Sequence, residues 1–301
     1  MHTYVATFFS SDANLILQQD SRENFTPNVA GRICEFTFIN RTAFLLTFKE
    51  DQGSLRIYTF DPCTPYAVLA PPLVLNFPPL RPTFKIVRVT AHGSPFVSRP
   101  PETTIFYPSP ESNIQVITIC YASLSLIVDE ARFVECYNLF IHTKALLDLV
   151  ATYPPGSILA WEKWGEHYTR FMPAVVGRHW LRFAIYFSSG TTLIYAHRYA
   201  HGQKVVCYVH GASAITVLDF NVKNRPIPDG QNNTRRQLET GPTTLACNPF
   251  KDTVVSNLPY YSTNKDLHEP FFACMIDDER IIGVTVSSFI FLMFSGKVTV
   301  V

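Results

Sequence analysis

Apolar and polar residues alternate with a period of two in short stretches along most of this chain. Thr3 to Phe9 is β-branched or aromatic at alternate positions and predicts a strand. Ile33 to Phe38, Ala43 to Phe48 and Leu55 to Phe60 follow at short intervals, separated by Asn40-Arg41 and Asp51-Gln52-Gly53-Ser54. The pattern predicts an antiparallel meander closed by hairpin turns. In the last of these stretches Arg56, Tyr58 and Phe60 share one face, and Leu55, Ile57 and Thr59 the other. Pro62 to Pro82 is proline-rich and reads as a connection holding one short edge strand, Leu73 to Phe77. Phe84 to Thr90 and Ile114 to Tyr121 are further strands. Between them, 91–112 is rich in Ser, Pro and Gly and reads as an exposed loop.

The alternation breaks once. Arg132 to Tyr137 reads as a strand running into a helix over Lys144 to Ala151, capped by Thr143, with Leu146, Leu147, Leu149 and Val150 as its apolar face. Tyr153-Pro154-Pro155-Gly156 is a stop and turn signal. The next stretch, Ile158 to Pro173, holds Trp161 and Trp164, which share a face if they sit in a helical turn. Gly165 is expected to break any longer helix or to permit a left-handed backbone. Strand patterns resume at Trp180 to Phe187, Thr192 to Ala196, Lys204 to Val209 and Ala214 to Phe220. The polar stretch Asn221 to Thr240 reads as a loop. The last strands are Thr243 to Cys247, Thr253 to Asn257, Phe271 to Met275, Arg280 to Val286, Phe289 to Phe294 and Val298 to Val301.

Roughly 20 short strands and one short helix argue for an all-β sandwich, barrel or propeller. That many strands overfill one sandwich. At four strands a blade they make about five or six propeller blades. No Trp-Asp dipeptide occurs, so the expected fold is a degenerate, non-WD β-propeller-like domain over 1–301. If the ring closes, Thr3 to Phe9 belongs in one sheet with Arg280 to Phe294 and Val298 to Val301, because an open seam leaves edge strands unpaired.

Composition narrows the function. Charged residues make up 16% of the chain and apolar residues 47%, ample for a large core. The net charge is +1 and no basic stripe occurs, which argues against nucleic acid or an anionic membrane as the partner. The longest apolar runs, 114–128 and 281–294, are short of a membrane-crossing helix and read as adjacent strands. The seven cysteines include no CxxC, and the first twenty residues lack a charged start followed by an apolar core. Reduced thiols in a cytoplasmic or nuclear protein are therefore expected, with the sequons at Asn24, Asn40 and Asn232 idle.

No cofactor motif is found: neither GxGxxG nor a Walker A sequence occurs. His197 and His201 have the spacing of a helical zinc site, but their surroundings read as strand and turn. There, positions four apart lie about 13 Å from each other. His201-Gly202 is read as a hairpin turn. Gly211-Ala212-Ser213-Ala214-Ile215 imitates a nucleophile elbow without its final glycine, and it precedes a strand rather than a helix. Asp277-Asp278-Glu279-Arg280 reads as a solvated hairpin tip with Arg280 bridging back to an acid. The candidate binding residues are Trp161, Trp164 and Arg170, because tryptophan and arginine are enriched at interface hot spots. The structural alternative is that the two rings cover the end of a core.

Trp161-Glu162-x-Trp164-Gly165 followed by Thr169-Arg170 resembles a segment of the basidiomycete fungal F-box protein family. HGQKVV (His201 to Val206), VLDFN (Val217 to Asn221), VVSNLPYYST (Val254 to Thr263) and MIDDERIIGV (Met275 to Val284) resemble it in the family's order. The resemblance covers about Arg132 to Val301. It implies a non-enzymatic protein-binding or scaffold domain, similar to the part of a ubiquitin ligase receptor that holds the substrate. In that family an F-box helical module precedes a β-propeller-like domain and binds a Skp-type adaptor. This sequence opens in a strand pattern without a three-helix leucine-rich module, so an unidentified protein substrate, and not the adaptor, is the expected partner. The competing readings are an enzyme whose site is assembled from propeller loops, and a truncated paralogue without function.

Overall fold

The computed structural model describes residues 4–8, 15–19, 23–25, 32–61, 69–94, 110–124, 131–174, 183–186, 196–209, 214–222, 236–246, 248–267, 273–277, 280–284, 289–293 and 298–300. Among them are 24 strands and two α-helices, and the protein is all-β. The strands form successive antiparallel sheets. β1 (Tyr4–Phe8), β2 (Leu15–Gln19) and β3 (Glu23–Phe25) make a three-stranded meander. β4 (Ile33–Phe38), β5 (Ala43–Phe48), β6 (Ser54–Thr59) and β7 (Leu73–Asn76) make the next. β8 (Phe84–Gly93), β9 (Ile114–Ser123) and β10 (Ala131–His142) make the third. It is followed by α1 (Thr143–Thr152), β11 (Ile158–Leu159), α2 (Trp161–Tyr168), β12 (Thr169–Pro173) and β13 (Phe183–Tyr186). β12 and β13 both return to β10, while β11 joins β7 in a short parallel pair.

The fourth sheet holds β14 (Ala196–His201), β15 (Lys204–Val209), β16 (Ala214–Asp219), β17 (Arg236–Glu239) and β20 (Tyr260–Asp266), in the order β14-β15-β16-β20-β17. β18 (Thr243–Leu245) and β19 (Val254–Ser256) form a separate hairpin. β21 (Ala273–Ile276), β22 (Arg280–Val284), β23 (Phe289–Met293) and β24 (Val298–Val300) form the last meander.

From the β4–β7 sheet onward the large sheets stack face to face in chain order, which explains the apolar runs. Every residue of β5 is buried. Its Ala43 and Leu45 join Ile117, Ile119, Tyr137 and Leu139 of the third sheet in one core. Its Phe44, Leu46 and Phe48 enter a second cluster with Tyr58 and Phe60 on the other face. The third sheet repeats this: Val116 and Phe140, facing away from the first core, pack with Val205, Cys207, Leu218 and Phe220 of the fourth. The fourth sheet's other face, Val206, Ile215 and Val217, packs with Cys274 and Ile281 of the last. A sheet covered on both faces loses the apolar-in, polar-out alternation and reads as a near-continuous apolar run.

Several expectations are corrected. Two α-helices are present where one was expected, and α2 runs through Gly165. Thr143 is the first residue of α1, not its cap. His142 takes the cap position without a side-chain capping bond, and the Thr143 hydroxyl accepts from Gln115 Nε2 at 3.1 Å. β7 is not an edge strand, since it lies between β6 and β11. Arg236–Glu239 is a strand inside the expected loop. Arg236 is held there by its ring contact to Tyr261 (3.9 Å) and its ion pair with Asp219 (3.5 Å). β1 pairs with β2 and is not part of the β21–β24 sheet, so the expected shared terminal sheet does not form. Pairing with the next segment closes a much shorter loop than pairing with the far end of the chain. Reduced thiols were expected throughout, but Cys120 and Cys136 are joined in a disulfide. They stand directly opposite each other in the β9–β10 ladder with Cα atoms 4.1 Å apart. Most of the expected 91–112 loop, and most of the 221–240 loop, lie outside the described residues.

Candidate functional site

The tryptophan segment begins at the end of α1. The Tyr153 N–H caps the helix on Leu149 O (3.0 Å), and Gly156 turns the chain with a φ of +82°. Gly156 N donates to Pro71 O (3.1 Å) and Val74 N to Ser157 O (2.9 Å), which lays Ile158 and Leu159 beside β7. The chain then enters α2. Ala160, at the cap position, offers no side-chain acceptor, while Glu162 in the first turn suits the positive end of the helix dipole.

The helix is held by its rings. Trp161 and Trp164 are 4% and 0% exposed and meet edge to face, centroids 5.2 Å apart. Trp161 also packs on Phe171 of β12 at 5.5 Å. Phe171 belongs to an aromatic group with Tyr121, Tyr137 and Phe250. Trp164 Nε1 donates to Asn76 O at 3.0 Å, tying the helix to the end of β7. Gly165 is required by packing rather than by backbone conformation. A Cβ built there would overlap Cδ2, Cε3 and Cε2 of the Trp161 ring. Thr169 Oγ1 donates to Gly165 O and closes the last turn.

β12 then alternates its side chains between two faces. Phe171 faces the tryptophans. Arg170 faces the other way, 2% exposed, with its guanidinium 4.8 Å from the Tyr260 ring. Arg170 Nη1 donates to Gly241 O (2.8 Å) and Thr243 Oγ1 (2.7 Å), and Nη2 to Glu239 O (3.3 Å). The guanidinium thus gathers the link between β17 and β18. Burial pulls its pKa below the ordinary arginine value, and the Tyr260 phenol and Glu239 oppose that shift. The Tyr260 phenol is pushed up, by burial first, while Arg170 pulls it down.

A second strip fastens to the same helix and strand. Asn257 N donates to Glu166 O (3.1 Å) and Leu258 N to Thr169 O (2.9 Å). Phe171 N donates to the fully buried Ser256 hydroxyl at 2.8 Å. Ser256 to Leu258 and Tyr260 all lie in the stretch Val254 to Thr263, so two of the resembling segments meet here. Two of the others connect to them. Lys204, Val205 and Val206 pair with Asp219, Leu218 and Val217, and those three pair in turn with Tyr261, Ser262 and Thr263.

The three candidate binding residues therefore do not form one surface. Trp161 and Trp164 lie on one side of β12 and Arg170 on the other, and all three are buried. Their contacts are to this chain's own rings and carbonyls and to the Thr243 hydroxyl. The residues missed by sequence reading are Ser256, which bridges to β12, and Asn76, whose carbonyl takes the indole proton. Neither gives a signal in sequence, because one is a small polar residue and the other acts through its backbone.

The remaining candidates fall as follows. His197 and His201 lie on β14, paired with Tyr208 and Lys204, and Gly202, with a φ of +57°, makes the hairpin turn. Ala214 and Ile215 open a strand, not a helix. Ser213 lies outside the described residues. Asp277 accepts from Arg280 N and Nε, each at 2.8 Å, across the β21–β22 hairpin tip. No helix among the described residues is long and apolar enough to cross a membrane. No protein-family model matches the sequence, and no curated protein matches it.

Proposed function

We propose that this chain is a non-enzymatic protein-binding or scaffold domain, similar to the substrate-holding part of F-box proteins, with its successive sheets acting as the blades of a degenerate propeller. The carrying observation is that separate segments resembling that family are joined in one unit. The Trp161–Arg170 segment bonds directly to Asn257 and Leu258. His201–Val206, Val217–Asn221 and Tyr260–Thr263 are neighbouring strands of one sheet. Short matches that fall at unrelated places in a fold carry little weight. Matches that bond to each other are what a shared scaffold requires. The face-to-face stacking of sheets in chain order supports blades, since propellers repeat small sheets radially.

The test is affinity capture from a basidiomycete extract with the 301-residue chain as bait, followed by reconstitution with each purified candidate. The reading expects a saturable one-to-one complex with a protein partner, formed without a Skp-type adaptor. A complex that requires the adaptor overturns the reading of the chain as a receptor domain alone. Conversion of the partner by the chain overturns the non-enzymatic reading.

A further inference from the structure

Cys120 and Cys136 occupy a place where the third sheet changes its edge. β10 pairs with β13 through residues 131–134 and with β12 through 137–141, and Cys136 lies between these two partners. Its carbonyl accepts from Ala174 N at 2.7 Å, one residue past the end of β12. On its other side, Cys136 stands opposite Cys120 of β9. The bridge therefore pins β10 where one edge strand gives way to the next.

The surroundings favour exchange of this bond. The pair sits in a small cluster of its own with Ala122 and Val87, apart from the large aromatic core. Cys136 is half-buried, whereas Cys120 is 8% exposed, so an incoming thiol reaches Cys136 first. A bulge in β8 sets Val87 and the exposed Arg88 against Cys120. Opposed residues of a ladder share a face, so Arg88, Cys120 and Cys136 form a row across three strands. A guanidinium in that row favours the thiolate of Cys120, the group that leaves when Cys136 is attacked. Glu35 is an opposing charge near it: burial holds the Glu35 carboxyl above its ordinary value, and Arg88 works against that shift. The ladder continues on both sides of the pair, so the two sulfurs stay neighbours after reduction and can close again.

We propose that Cys120 and Cys136 are a reversible thiol–disulfide switch that fixes or releases β10 at the junction of its edge partners. Glutathione thiolate attacks the Cys136 sulfur, the S–S bond breaks, and Cys120 leaves as a thiolate that takes up a proton. A second glutathione thiolate then attacks the mixed disulfide, releasing glutathione disulfide and the Cys136 thiolate. The protein gains two electrons and two protons, and two glutathiones are oxidised. Disulfides in reducing compartments are characteristically of this transient kind.

The experiment equilibrates the full chain in buffers of graded glutathione to glutathione disulfide ratio. Alkylation and mass spectrometry read the pair, and amide hydrogen exchange reads the junction. The expected result is interconversion within the ratios cells maintain, with the chain folded throughout. Reduction should speed exchange at Ala174 and along 134–138, and the double variant C120S/C136S should show the fast exchange at every ratio. Arg88→Gln should slow reduction several-fold, and Arg88→Lys should restore much of the rate. The proposal is overturned if the bridge persists until the chain unfolds, if the thiols stay reduced in glutathione disulfide alone, or if exchange at the junction does not change. Equal reduction rates in wild type and Arg88→Gln would overturn the role given to Arg88.

Discussion

At the scale of single residues, Gly165 makes the sharpest prediction. In an exposed helix, Gly→Ala stabilises by about 1 kcal/mol. Here the added methyl meets the Trp161 ring, so Gly165→Ala should destabilise despite its better propensity, as read by urea denaturation. Arg170→Met removes the donor shared by Glu239 O, Gly241 O and Thr243 Oγ1; hydrogen bonds to a charged group contribute about 1.5–3 kcal/mol, and because these acceptors are partly open to water the loss read by urea denaturation should fall at the lower end of that range. Cys274 gives a pH dependence. Burial first, then the neighbouring Cys207, pushes its thiol from 9.0 to about 12. Its folded value lies above the unfolded one, so the unfolded chain loses the proton first as pH rises. The stability it contributes is complete below about pH 9 and is lost as pH climbs toward 12. Replacing Cys274 with Ala should flatten that part of the stability profile, measured by denaturation at stepped pH.

At the scale of elements, the β9–β10 bridge closes a loop of sequence separation 16, and reduction of the folded chain should lower its stability by about 2–4 kcal/mol. Equal denaturation midpoints with and without reductant would contradict this. Many strands were legible in the sequence because their alternation is local: Ile33–Phe38, Ala43–Phe48 and Lys204–Val209 fall where the pattern puts them. Others were not. β20 begins at Tyr260-Tyr261 and continues into Ser262-Thr263-Asn264-Lys265-Asp266, a polar run made a strand by the two neighbours it pairs with, β16 and β17. α2 was half legible. The tryptophan spacing suggests one turn, but only the ring of Trp161 against the bare Cα of Gly165 explains why the helix continues. Arg170 drew notice as a hot-spot residue type. Its burial on the far side of β12 follows from alternation along a strand whose start the sequence does not mark.

At the scale of the whole molecule, the stacked sheets make the interior a series of two-sided layers, so a weakened layer affects both neighbours. The Trp161–Arg170 segment lies where several of these layers meet. It is bonded to β7 through Trp164, to the β17–β18 link through Arg170, and to the strip after β19 through Thr169 and Glu166, and the next residue, Phe171, is bonded to β19. On this reading the segment is a joint and not a recognition surface. The most direct measurement is the denaturation of Trp161→Ala/Trp164→Ala beside the parent, with binding of a reconstituted partner read on the same samples. Each truncated indole should cost about 3–5 kcal/mol, and binding should fall only as far as the folded fraction falls. A double variant that unfolds with the parent's midpoint and yet loses its partner would contradict the account.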